Sequence, residues 1–171
     1  MEQIKIMEIF NKRGLNKLNK IFGPDNIVYL PKSSLAGIKY DYDNNKLQYV
    51  MEKIPFSVTQ QFIITPNKFA DIILNLCKKG YNPNCKFYHT SIDENDLENF
   101  RIKLKKIRTE PNQNTKKALL EVLLYLENEY DTFIESITFY SNNERYNIQA
   151  NGILFSESTS LEITDEIFMT H

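Results

Sequence analysis

Tryptophan is absent from this 171-residue sequence, cysteine and histidine occur twice each, and there are only five glycines. Each scarcity excludes something. No Walker-type or dinucleotide-binding glycine loop is present, so phosphate binding of that kind is not expected. Two cysteines, Cys77 and Cys85, do not make a disulfide framework. They flank the turn-rich CKKGYNPNC, where a bridge is sterically feasible, but free thiols are expected in a reducing compartment. A two-cysteine zinc site would need two more ligands, and His89 is the only histidine before the terminal His171. No metal centre is expected on that count. Cys85 and His89 share a strand face, but four residues of strand rise hold them about 13 Å apart. That is too far for a nucleophile–base pair. No cofactor motif and no catalytic constellation stand out.

Long apolar runs are missing too, so no transmembrane helix and no membrane partner are expected. The opening MEQIKIMEIFNKRG mixes charges into its apolar residues and lacks the core of a signal peptide. A cytosolic location is the expectation.

Lysine is missing from the last 45 residues, where nine carboxylates face a single base, Arg145. The first 126 residues carry 20 of the 21 Lys and Arg against 13 acids. The formal net charge of −1 hides this split. Asymmetry of this kind points to charged partners rather than to a fold.

What is present is an ordinary globular composition, 42% hydrophobic and 25% charged. Eleven Phe and ten Tyr supply large side chains for a core. The length fits a single domain over 1–171.

Helical spacing of Ile6, Ile9, Phe10, Leu15, Leu18, Ile21 and Phe22 predicts a basic amphipathic helix over 3–22, weakened at Gly14 and ended by Gly23-Pro24. Residues 27–64 read as strands. Ile27–Leu30 is the first, and a hairpin follows over 38–51, with Tyr40, Tyr42, Leu47, Tyr49 and Met51 alternating about an Asp43–Lys46 turn. Phe56–Thr65 is a third candidate. Thr65-Pro66 caps the next helix, with Phe69, Ile72, Ile73 and Leu76 inward and Gly80 as its stop. A short strand is expected over 86–90. Ser91 and Glu94 predict a capping box for a helix over 92–108. The helix over 115–130 carries the widest apolar belt, which predicts burial on more than one side. Strands over 133–140 and 146–155 form a hairpin across Ser141–Glu144, and 161–168 is a last short strand. Hairpin-linked strands among helices define an α+β fold, with a mixed or antiparallel sheet packed against about four helices.

Two charged groups stand out. Arg101, Lys103, Lys105, Lys106, Arg108, Lys116 and Lys117 place seven bases within 17 residues. They offer a phosphate-binding surface. Equally, acids at 93–98 followed by bases complement one helix dipole. Lys5, Lys12, Arg13, Lys17 and Lys20 offer a second basic surface, or the wet side of the first helix. Glu127, Glu129, Asp131, Glu135 and Glu144 offer an acidic surface for a basic partner, or a solvated hairpin face. Tyr40, Tyr42 and Tyr49 are weaker candidates, for base stacking.

The leading expectation is a non-catalytic protein that neutralises a macromolecular partner with a basic surface, by charge-steered occlusion. In general character the chain is similar to small proteins of mobile elements, such as phage inhibitors of host defence nucleases, and to toxin-immunity proteins. That likeness is one of style and assigns no residues. The alternative is a nucleic-acid-binding accessory protein using 101–117. An enzyme with a site built from scattered residues is the third.

Overall fold

The computed structural model describes residues 2–41, 46–88, 91–157 and 162–170, the last stretch with side chains from Asp165 onward. In chain order the elements are β1 (Glu2–Ile9), α1 (Lys12–Phe22), a 3-10 turn (Pro24–Asn26), β2 (Ile27–Leu30), β3 (Leu35–Tyr40), α2 (Leu47–Lys53), β4 (Thr59–Gln61) and α3 (Pro66–Lys78). There follow β5 (Asn84–Phe87), α4 (Glu94–Thr109), α5 (Gln113–Tyr130), β6 (Ile134–Ser141), β7 (Glu144–Gln149), β8 (Ile153–Ser156) and α6 (Glu162–Ile167). The strands form one open sheet in the order β2-β3-β1-β8-β7-β6-β5, with every pairing antiparallel. β4 joins β1 beyond the end of β8, at Met7–Ile9. The fold is α+β, as its hairpin-linked strands predicted.

β1 lies between β3 and β8, so the first and last of the described strands pair near the centre of the sheet. This corrects the helix expected over 3–22. Ile4 and Ile6 enter one core and Met7 the opposite one, because alternate side chains of a strand point to opposite faces. A strand buried on both faces reads as a continuous apolar run, which short-range helical spacing imitates. The helix starts only after Asn11. Its extended backbone and side-chain oxygen, which accepts from the N–H groups of Arg13 and Gly14, form the cap. Gly14 is buried within α1 and does not break it.

Three further expectations are corrected. The hairpin over 38–51 is a strand followed by a helix. Leu47, Val50 and Met51 pack together on the small core while Tyr49 is exposed, so the period there is helical. Its Asp43–Asn45 turn, with Tyr42, lies outside the described residues. The strand over 146–155 is two strands, β7 and β8, reversed at 150–152. The last strand over 161–168 is instead α6. Its end is held because Asn75, buried on α3, donates to the carbonyls of Ile167 and Met169 at 2.9 and 2.8 Å.

The Thr65 cap and the last hairpin turn act as read. Thr65 caps α3 with Pro66 at its first position. Asn142 and Asn143 adopt φ of 51° and 66°, the paired positive φ of a tight hairpin turn. α4 is capped by Asp93 rather than Ser91. α5 begins at a reciprocal Asn112/Thr115 capping box.

The large core lies between one sheet face and α3–α6, with Ile137, Phe139, Tyr146 and Ile148 of the sheet against Leu74, Leu104, Leu119 and Leu126. The enclosed helix is α3, buried continuously from Phe69 to Cys77. α5, expected to be buried on several sides, has one buried stripe and leaves Leu124 and Tyr125 exposed. α1 and α2 cover the opposite face over β2, β3, β1 and β8, where Leu18 and Val50 meet Met7, Ile38 and Ile153, with Ile27 and Phe155 packed at the margin. The outer face of β5–β7 carries no helix among the described residues.

Candidate interaction surfaces

The short link between α4 and α5 makes them antiparallel neighbours. The first turn of α4 therefore meets the last turns of α5. Tyr130 and Tyr125 both donate hydroxyl hydrogen bonds to the same oxygen of Asp96, at 2.5 and 3.3 Å. The bond to Asp96 pushes the Tyr130 hydroxyl up to about 12. Asp93, the cap of α4, and Glu129 add their charges beside Tyr125, Glu127 and Asp131 stand in the last turn and at the cap of α5, and Glu94 and Glu98 of α4 are paired with Arg101. The hairpin has an acidic pole at this end. At its loop end it carries Lys105, Lys106 and Lys117, exposed and without a carboxylate partner among the described residues.

The seven bases of 101–117 do not form one free surface. Arg101 turns back to Glu94 and Glu98, at 2.6 and 3.4 Å. Lys116 pairs with buried Asp71 at 2.7 Å. Arg108 donates to the carbonyl of Pro83 and, at 3.4 Å, to Asn84. Lys103, Lys105, Lys106 and Lys117 are left to face solvent.

The five acids are divided as well. Glu127, Glu129 and Asp131 share the pole. Glu135 is paired with Lys86 across β6 and β5, at 2.6 Å. Glu144 lies at the β6–β7 turn, accepting from the Tyr146 hydroxyl at 3.3 Å. The pole instead recruits Asp93 and Asp96. A usable signal was present in the sequence: two helices joined by a short loop pack antiparallel, which sets the acids at 93–98 at the same end as those at 127–131.

The remaining candidates scatter. Tyr40 is buried in the small core and Tyr49 is exposed on α2, with the Lys53 ammonium 5.8 Å from its ring centre. They do not share a stacking face, and Tyr42 lies outside the described residues. Lys12, Arg13, Lys17 and Lys20 line the exposed or half-exposed side of α1, whereas Lys5 is buried on β1.

Chemistry at the thiols is unfavourable. Cys77 and Cys85 are free, and burial pushes them up to about 11 and about 12. Reactive cysteines need the thiolate. Both thiols are therefore expected to stay unmodified by a thiol reagent at pH 8 in native protein and to react once it is unfolded. Rapid native labelling of either would contradict this. His89 lies outside the described residues. Among the described residues no group of three His, Cys, Asp or Glu side chains is arranged to hold a metal ion. No described helix is long and apolar enough to cross a membrane.

No known protein family matches this chain, and no curated protein or solved structure matches it either.

Proposed function

We propose that this chain is a non-catalytic binding protein that neutralises a macromolecular partner with a basic surface, such as a nuclease, and that the acidic pole of α4–α5 is its contact. One observation carries the reading. Glu127, Glu129 and Asp131 sit at the C-terminal end of α5, which has no base in its last turn. Carboxylates there oppose the helix dipole and repel one another. They reduce stability, unlike the acids that begin α4, so a role outside folding accounts for them. Exposed Tyr125 adds the amphipathic ring that dominates many protein contacts. Such a surface steers a basic partner into place and then blocks its groove sterically.

The alternative, nucleic-acid binding by 101–117, has less support. Arg101, Arg108 and Lys116 are engaged within the fold.

The experiment is charge reversal. The double variant Glu127→Lys, Glu129→Lys should be as stable as the parent or more so, gaining about 0.3–1 kcal/mol per site from the dipole. Its association rate with a partner captured from host lysate should fall about 10- to 100-fold at low salt. At about 1 M salt the two proteins should associate at nearly equal rates. Lys105→Glu, Lys106→Glu is the control and should keep the partner. An unchanged low-salt rate for the first variant would sink the proposal.

A further inference from the structure

The outer face of β5–β8 is a second surface, on the side of the sheet away from the helical hairpin. Strand alternation places Lys86, Ser136, Thr138, Arg145, Asn147 and Gln149 there, because Cys85, Ile137, Phe139, Tyr146 and Ile148 point into the large core. Short side chains at its middle leave a depression of about 400 Å³, with Phe155 of β8 as one wall. Asn147 donates to Thr138 across its floor at 2.8 Å.

The depression does not stop at its own rim. A second one, of about 300 Å³, shares Lys86, Ser136 and Gln149 with it and ends at Tyr88 and Phe133. These two exposed rings stack with centroids 5.1 Å apart and planes 10° apart. On the other side a third, of about 410 Å³, shares Phe155 and runs past Gln3 and Tyr40 to Lys46 and Leu47. The three make one trough from β5 across the sheet to α2, about 24 Å from β5 to β3 at the usual strand spacing.

Its chemistry is of one kind. Hydroxyls and amides form the floor, and aromatic rings stand at one end and towards the other. Three cations, Lys86, Arg145 and Lys46, line it. The carboxylate on this lining is Glu135, and it is bound to Lys86. Arg145 is the single base of the last 45 residues, yet it points here. Glu144 accepts from Tyr146 and Glu157 accepts the backbone N–H of Arg145 at 3.0 Å, and the Arg145 guanidinium makes no ion pair among the described residues.

We propose that this trough binds single-stranded nucleic acid. Stacking platforms beside cations are what a flexible strand of bases and phosphates needs. Tyr88, Phe133 and Phe155 offer rings to the bases. Arg145 and Lys46 meet phosphates, Lys86 being paired with Glu135, and Ser136, Thr138, Asn147 and Gln149 offer donors and acceptors to base edges. A duplex presents its bases only in its grooves and has no loose base to stack, so it fits this face poorly. This site is independent of the acidic pole, and either can fail without the other.

The test is fluorescence anisotropy of the full chain with labelled mixed-sequence 12-nucleotide single-stranded RNA and DNA. Binding to at least one should be measurable at about 50 mM salt and weaken as salt rises. Arg145→Glu, at an exposed position, should weaken it at least tenfold, and Tyr88→Ala about tenfold by loss of stacking. Lys105→Glu, Lys106→Glu should leave it unchanged, which separates the trough from the loop end of α4–α5. Any of four results would overturn the proposal: no binding at 50 mM salt, equal binding by folded Arg145→Glu, equal binding of a duplex, or equal competition by polyglutamate.

Discussion

Replacing Gly152 by alanine should destabilise the protein by about 3–5 kcal/mol, the sum of a backbone cost and a collision. Gly152 joins β7 to β8 at the centre of the sheet. Its carbonyl accepts from the Ile6 N–H at 2.8 Å, and its own N–H donates to Gln149 at 2.9 Å. Its φ is +77°, a region where an L side chain costs about 1–2 kcal/mol. The space is also occupied. A Cβ would stand 2.2 Å from the Phe62 carbonyl oxygen, which is backbone and cannot swing aside. Relief requires the segment after β4 to move off β1. Gly80 supplies the control, with φ +82° and nothing within 4 Å of its Cβ position. Gly80→Ala should lose only the backbone cost, about 1–2 kcal/mol. Thermal unfolding should show a fall of about 10 °C or more for Gly152→Ala and only a few degrees for Gly80→Ala. Equal falls would mean that the close approach of Phe62 contributes nothing.

The second large effect has the opposite sign. Lys5→Met should stabilise the protein at pH 7. Lys5 is 2% exposed, on the small-core face of β1. Among the described residues no carboxylate accepts from its ammonium, which donates to the carbonyl of Asn151. Burial lowers it from 10.5 to about 8. The unfolded chain, with its lysine near 10.5, then binds more protons than the folded one between about pH 8 and 10.5. Stability conferred by this site rises with pH across that window and is least below it. A depression of that size corresponds to about 3 kcal/mol at pH 7. Methionine fills similar volume without the charge, and the loss of one hydrogen bond at Asn151 offsets about 1 kcal/mol. The net gain is about 2 kcal/mol, or roughly 4–8 °C. It should shrink towards zero or reverse as pH rises to 10.5. Denaturant unfolding of both proteins at pH 7 and pH 10.5 decides the matter. A gain that does not change with pH would show that burial of charge is not its cause.

Lys5 also shows where periodicity misleads. Ile6, Ile9 and Phe10 fit a helix, and a lysine among them reads as its wet side. The strand prevails because β3 and β8 reach β1 from residues 35–40 and 153–156, and no local window contains that information. Leu47, Tyr49 and Met51 mislead in the other direction. Alternation across five residues fits a strand until the small core selects Leu47, Val50 and Met51 together.

The candidate surfaces divide the same way. The acids of 127–131 and the bases of 101–117 were visible as charge runs. Their engagement was not, because Asp71 and Pro83, the partners of Lys116 and Arg108, lie 45 and 25 residues away in the chain. The sheet trough left a single trace in the sequence, Arg145 standing alone among acids. Its lining comes from six strands and α2, whose order only the assembled sheet creates.

The α+β class, the helix capped by Thr65, the Asn142-Asn143 hairpin turn and the charge imbalance were all legible in the sequence, since each rests on composition or on interactions within a few residues. Only the assembled fold makes β1 a strand, sets the Asp96 carboxylate against Tyr125 and Tyr130, and leaves the outer face of β5–β7 without a helix among the described residues. Those outcomes depend on which distant segments share a hydrophobic core, and burial there outweighs the propensity of any short segment.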